Sequence, residues 1–461
     1  MKRAGKVTAF FVIFFSLIYF LFTKPTDHNP YFESAYFKES LSGIDSLKSR
    51  HTLIHDSLYA GFATVSITPL LNQPEDNYSE GEFKQLPLAG YGGRKGEPAT
   101  GVHDSIFIKA AALKTGNQTL FFVSADLLIM PPNIVEYAME VLSANGISRS
   151  QLFFSATHTH SSLGAWGYGF IARQFAGKEN ENLQKWLGLK TAEAILKAAG
   201  DLKRAEIATG NFDAGQFTRN RLIGKLGTKN DDFSYIFLKQ KEGKTGVIGS
   251  FSAHPTILGS ENMEISAEYP GYWARKMKDS VGFAMFLAGS MGSQSPAGEA
   301  KGFEKAKDIG ESLADSLLVK LNGTETEKTT SFALVSLEIP LPKFQIRLTT
   351  RRNLPGFISN KLMPYTGSGY LQAVRIGNMV WISTPADFSG EYAVQIKNEL
   401  KVKGFDANIT SFNGKYLGYI IPGRYFYLDK YEARVMGWFG PNMGDYSFDL
   451  IRRLSEIVTT N

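Results

Sequence analysis

The chain has 461 residues, 43% of them hydrophobic and 20% charged, which describes a globular protein and excludes a disordered or fibrous one. Its 50 basic and 44 acidic residues leave a formal net charge of only +6 with no dense Lys/Arg stripe, so no nucleic acid is expected as a partner. Cysteine is absent, which removes disulfides, thiolate metal clusters and cysteine nucleophiles; any transition metal must be held by His, carboxylate or other oxygen ligands.

The N-terminus pairs a basic "MKRAGK" with an unbroken apolar run from Thr8 to Phe22. Such a run is short beside the roughly 17–25 residues of a spanning helix and fits the hydrophobic region of an export signal. No small-x-small cleavage site follows, so residues 1–24 read either as a signal peptide or as an uncleaved signal anchor. In both cases the remainder is exported: secreted or periplasmic, or held at a membrane surface by the N-terminal segment. Residues 25–55 read as a polar tether with a short helical stretch, "ESLSGIDSLKSRH", and 56–461 as the folded domain.

That domain opens on the alternating run "LYAGFATVSITP", followed by a long Gly-, Pro- and acid-rich loop through "PLAGYGGRKGEPATG". A loop of that length is itself a candidate for function. Strands are expected at "SIFIKAAALKT" and "QTLFFVSADLL", then a helix entered through Pro131 and Pro132, then a strand at "QLFFSATHTH". Further along come a helix at "ENLQKWLGLKTAEAILKAAG", strands at "AEIATGNFDAG", "FSYIFLKQ" and "KTGVIGSFSAHP", and a helix at "KAKDIGESLADSLLVKLNG". Strands resume at "SFALVSLEIPL", "LQAVRIGNMVWIST" and "ITSFNGKYLGYII". Helices and strands interleave without βαβ regularity, so the expected fold is one large α/β (mixed α+β) domain with mixed, partly antiparallel sheets flanked by helices.

Two of the seven histidines stand one residue apart at the end of an apolar run, in "FFSATHTHSS". In an extended strand His158 and His160 share a face. The pair is either a hydrogen-bonded strand end or half of a metal site. A third histidine, His254 in "FSAHPTI", repeats the strand-then-turn context; Asp387 in "STPADFSGE" adds a carboxylate and Tyr419 in "YLGYIIPG" a phenol. Zinc takes three or four such ligands.

The ordered set "SATHTHSSLG", "TRNRL", "FSAHPTI", "SAEYPGY", "GSQSPAG", "TPADFSGE", "GYIIPG" and "YEARVMGWFGP" resembles the neutral/alkaline, non-lysosomal ceramidase family, zinc-dependent amidases that cleave N-acyl sphingosines. The resemblance covers most of residues 58 to 446 and implies one Zn2+ held by His158, His254, Asp387 and Tyr419. It further implies His160 as a proton-transfer or orienting histidine, Arg221 as a catalytic arginine, Ser295 as the nucleophile and Tyr431 as a donor to the reacting carbonyl oxygen. Two departures stand out: Asp387 replaces a glutamate, and Ser293 replaces an acid or asparagine two residues before Ser295. The C-terminal β-sandwich that completes family members is not expected here.

The expected activity is therefore zinc-dependent hydrolysis of the amide bond of ceramide or a related N-acyl lipid, giving a fatty acid and a sphingoid base. Attack falls either to Ser295 or to water. The alternatives are an exported esterase or amidase on a non-sphingoid envelope molecule, or an inactive homologue that binds lipid. The stretch 354–369 reads either as an ordinary loop or as a lip that meets a lipid chain.

Overall fold

Runs such as Ala110-Ala111-Ala112-Leu113 and Phe121-Phe122-Val123 offer no polar face, so strands built from them must be covered on both sides. The computed structural model describes residues 2–363 and 367–460. Within it twelve strands form one sheet: β1 Ile54–Ser66, β2 Phe107–Thr115, β3 Gln118–Ala125, β4 Leu152–Ala156, β5 Lys203–Asp213, β6 Asp232–Gln240, β7 Thr245–Phe251, β8 Gly282–Ala288, β9 Thr329–Pro340, β10 Ser368–Ile376, β11 Met379–Ser383 and β12 Asp406–Thr410.

The long strand β1 is the branch point. Its first residues, from Ile54 to Ser57, pair with β9, while Leu58–Ala60 pair with β5 and Leu58–Ser66 with β2. Three limbs leave it: β2-β3-β4, β5-β6-β7-β8 and β9-β10-β11-β12. Their inner faces meet in a shared core, with Phe122 and Phe153 from the first limb, Ile248 and Met285 from the second, and Phe332 and Trp381 from the third. Alternate residues of the same strands pack outward under helices.

The helices are α1 Lys2–Phe22, α2 Ala35–Arg50, α3 Pro132–Ala144, α4 Glu181–Gly200, α5 Glu268–Val281, α6 Gly302–Leu321, α7 Gly390–Val402 and α8 Met443–Thr459, besides shorter turns. Helices α3 and α4 cover the first limb, α5 and α6 the second, and α2, α7 and α8 the third. The fold is thus mixed α/β, and this large sheet is antiparallel except at three parallel edges, β3/β4, β7/β8 and β11/β12.

Two expectations change. Residues 35–50, read as part of a tether with a short helical stretch, form the helix α2, and its Phe37, Ser40 and Ile44 are buried against the third limb. Their helical spacing hides one apolar stripe inside a polar composition. Ser34 caps this helix, its side chain accepting from Phe37 N at 3.1 Å, and Ser40 Oγ lies 2.8 Å from Tyr446 OH. The strand at "QLFFSATHTH" stops at Ala156, before either histidine. Of the stretch 354–369, Gly356–Leu362 is helical and residues 364–366 lie outside the described residues. Among the described residues no helix is long and apolar enough to cross a membrane.

Candidate metal centre and active site

The parallel edges place several strand C-termini at one margin, where open α/β sheets commonly bind ligands. Gly289 N donates to Phe251 O at 3.0 Å and Ser411 N to Ala288 O at 3.0 Å, tying the exits of β7, β8 and β12 together. Beyond β4 the chain keeps bonding to the segment after β3, His158 N donating to Leu127 O at 3.0 Å. His158 then takes φ +65° and stacks on Phe412, which itself takes φ +68°, with ring centroids 4.2 Å apart. Left-handed backbone at a non-glycine residue costs of order 1–3 kcal/mol and collects at functional sites. His158 and His160 therefore converge through loop geometry rather than by sharing a strand face.

His254 follows β7 and is braced from two sides by the "AEYPGY" segment. Tyr269 OH donates to Ala253 O at 2.5 Å, and Glu268 Oε1 accepts from Ile257 N at 2.7 Å and Leu258 N at 3.2 Å. Asp387 and Tyr419 are brought together by a two-residue parallel ladder in which they are register partners.

These side chains meet at one point. Asp387 Oδ1 lies 3.4 Å from His158 Nε2 and 3.3 Å from His254 Nε2; Tyr419 OH lies 3.0 Å from His254 Nε2. His160 Nε2 is 3.3 Å from His158 Nε2, and His158, His160 and His254 form a group able to hold a metal ion. The protons settle what faces inward. His158 Nδ1 sits 2.5 Å from Leu128 O and His254 Nδ1 sits 2.8 Å from Met291 O. A carbonyl only accepts, so each Nδ1 carries the hydrogen and each Nε2 presents a lone pair to the centre. Tyr416 OH donates to Asp387 Oδ2 at 2.7 Å, while Oδ1 is buried without a hydrogen-bond partner. Two imidazole Nε2 atoms and a carboxylate oxygen thus converge, with the Tyr419 hydroxyl beside them; the donor set fits a divalent metal.

Burial governs the electrostatics. It pushes the His158 imidazole down to about 3 against the attraction of Asp387, and drives His254 and His160 well below the usual histidine value. It raises Asp387, an effect opposed by His158 and by the hydrogen bond from Tyr416. The Tyr419 phenol is held well above its usual value by burial and by the Asp387 charge. Neutral imidazoles are the form that ligates metal.

Arg221 joins this group: its Nη2 donates to Tyr419 OH at 2.9 Å, and its Nε lies 2.8 Å from Glu432 Oε1. Tyr431 opens a short helix and packs edge-on against Tyr419 with centroids 5.9 Å apart. Ser295 belongs to a separate two-stranded ladder. It lies in Gln294–Pro296, paired antiparallel with Thr218–Asn220, and its Oγ accepts from Arg219 Nε at 3.2 Å. Ser293 Oγ donates to Glu391 Oε2 at 2.5 Å, and Glu391 also accepts from Ser389 and Asn220. A carboxylate thus stands beside position 293 although the sequence has serine there.

Several contributors escaped sequence reading: Tyr416, Phe412, Glu268, Glu391 and the carbonyls of Leu128 and Met291. Glu268 and Glu391 lie within the motifs "SAEYPGY" and "TPADFSGE", and Phe412 and Tyr416 within the run "ITSFNGKYLGYII", but none of them had been given a role. The long Gly-rich loop, by contrast, was flagged and is found around His160. Gly90 has φ +120°, and a Cβ there would fall 2.7 Å from the His160 ring. Tyr91 packs on that ring at 4.9 Å, and buried Arg94 donates to His160 O at 2.5 Å.

A cavity of about 90 Å³ opens on the cluster, lined by His158, His160, Asp387, Tyr419 and Tyr431 and walled by Trp166, Phe175, Met363, Met436 and Trp438. Next to it a chamber of about 330 Å³ shares Ile129, Trp166, Met363, Tyr416 and Trp438 and adds Phe344, Leu417 and Phe439.

Fold and site together define a mixed α/β protein with a candidate metal centre at its strand exits, opening into an apolar cavity. The chain is similar in structure to neutral ceramidase from Pseudomonas aeruginosa, with a TM-score of 0.72 and 17% identity over 87% of this chain and 74% of that one. It is equally similar to a ceramidase complexed with C2, with a TM-score of 0.72 and 16% identity over 87% of this chain and 75% of that one. At such identity the likeness is one of fold. No protein-family model matches the sequence, and no curated protein matches it.

Proposed function

We propose that the protein is a metal-dependent hydrolase that cleaves the amide bond of ceramide or a related N-acyl lipid, with zinc as the metal. The observation that carries this is the inward-facing set of two Nε2 lone pairs and the orphaned Oδ1 of Asp387, beside an apolar cavity. The resemblance of eight ordered motifs and the fold likeness to ceramidases support the substrate class.

In this reading His158, His254, Asp387 and Tyr419 hold the ion, and zinc supplies Lewis acidity toward the amide carbonyl. The shorter acid at 387 is accommodated by Tyr416, whose hydrogen bond turns the other carboxylate oxygen to the centre. His160 is the proton carrier: unlike its two neighbours it has no carbonyl on Nδ1, so neither tautomer is locked. Arg221 and Tyr431 stabilise negative charge growing on the carbonyl oxygen, a role in which one donor is worth ~10²–10³ in turnover. Ser295 shares a ladder with the Arg221 segment and serves as nucleophile or as anchor for attacking water. The apolar chamber beside the cluster receives a hydrocarbon chain.

The test is fatty-acid release from ceramide by the purified chain, with and without chelator. Release that stops on metal removal, returns with zinc and disappears in His254→Ala supports the reading. Turnover indifferent to both treatments refutes it, and stoichiometric zinc without turnover on ceramide, N-acyl amino acids or esters would leave a lipid-binding protein.

A further inference from the structure

Two unlike walls flank the metal centre. The cavity at the histidines and the chamber beside it share Trp166, Met363, Tyr416 and Trp438, and neither Ser295 nor any arginine lines either of them. That wall suits a hydrocarbon chain.

The wall at Ser295 is cationic. Arg219 lies in the strand Thr218–Asn220 as the register partner of Ser295, and the ladder runs on, Arg221 N donating to Ser293 O at 2.8 Å. Residues two apart on an extended backbone share a face and stand ~7 Å apart. The two guanidinium groups are held differently. Arg221 has a counter-ion, Glu432 Oε1 at 2.8 Å from its Nε, and reaches the cluster through Tyr419 OH. Arg219 is exposed and donates through Nε to Ser295 Oγ at 3.2 Å. Among the described residues no carboxylate pairs with Arg219, which leaves its two Nη groups for a ligand.

A second cation stands beside it. Lys305, near the start of α6, donates to Gly298 O at 2.9 Å, three residues beyond Ser295. Burial and the charge of Arg219 lower the Lys305 ammonium against the pull of Glu268, which makes Arg219 and Lys305 neighbours. The Glu268 carboxylate is itself engaged, accepting from Ile257 N and Leu258 N. Among the described residues Lys305 has no carboxylate within ion-pair distance either. Neighbouring like charges favour a bound anion, and arginine offers a carboxylate or phosphate two parallel N–H donors.

We propose that the substrate is an N-acyl lipid whose amine portion carries an anionic group, a carboxylate or a phosphate, which Arg219 and Lys305 bind while the acyl chain lies in the apolar chamber. This rests on the hydrolase reading given under Proposed function. The reaction is the same: water adds across the amide bond, and the fatty acid and the anionic amine separate along opposite walls. A head group with its charge a few bonds from the amide nitrogen fits the short step along the strand from Arg221 to Arg219.

Matched amides test this with the purified full chain. N-palmitoylserine and N-palmitoylserinol differ only in a carboxylate against a hydroxymethyl group; ceramide 1-phosphate and ceramide form the second pair. At least one anionic member should exceed its neutral counterpart roughly tenfold in kcat/KM, and the pair that shows it tells carboxylate from phosphate. Arg219→Gln should bring that ratio to within about threefold of unity, Arg219→Lys should keep part of it, and Lys305→Gln should lower it. A ratio is unaffected by a general loss of turnover from disturbing Ser295. Equal turnover within both pairs, or a preference that survives Arg219→Gln, would overturn the proposal while leaving the hydrolase reading intact. Cleavage of no amide in the panel would remove the hydrolase reading and this proposal with it.

Discussion

The histidine cluster and the Ser295 ladder are neighbours built on different principles. In the cluster, His158 and His254 are locked by backbone carbonyls so that both Nε2 atoms face a carboxylate oxygen that has no hydrogen-bond partner. At Ser295 the hydroxyl oxygen accepts from Arg219 Nε at 3.2 Å. The cluster gathers atoms able to ligate a metal ion, whereas the serine oxygen is hydrogen-bonded to a guanidinium.

Substitutions can break this contrast. The largest effect is expected for Asp387→Ala, which removes the anionic donor: bound metal, measured by elemental analysis, should vanish and turnover fall by more than ~10²-fold. Ser295→Ala should lower turnover while metal content stays at the wild-type level; loss of metal in this variant would erase the distinction. Tyr416→Phe frees Asp387 to rotate, and metal affinity by competition titration should drop roughly 10–100-fold, as is usual when a partner that orients a ligand is removed.

Glu268 gives a pH-dependent probe of the brace around His254. Burial raises its carboxyl to about 8 from the usual carboxylate value near 4.5. A group whose folded value is raised favours the fold most below its unfolded value, and that advantage is lost as pH climbs toward the folded value. Relative to Glu268→Gln, wild-type stability by urea denaturation should decline between about pH 4.5 and pH 8 and then level off. Parallel curves would show that the carboxyl is not buried as described. The smallest effect belongs to Ser34→Ala, which removes the cap of α2 and should cost about 1 kcal/mol, detectable as a lowered denaturation midpoint. No change would mean that residues 35–50 are a tether after all.

How much was legible beforehand follows from what each feature depends on. Apolar runs such as "QTLFFVSA" announce strands wherever they occur, because buried backbone and β-branched or aromatic side chains need no distant information. A helical stretch was expected within α2, but its burial was not, because that depends on β9 and α8, far along the chain. His158 and His160 were expected to share a strand face, yet the left-handed turn at His158 answers to Phe412, more than 250 residues away. Tyr416 and Glu391 acquire meaning only from the acid or serine they bond.

By itself the sequence determined the inventory: a cysteine-free chain in which any metal site must rest on His, carboxylate and phenol, and whose strand periodicity specifies a mixed α/β fold. The tertiary structure decided which atoms face which. Tautomers, orphaned oxygens and an apolar cavity come from backbone carbonyls and loop turns that converge only once the three limbs close on a common core.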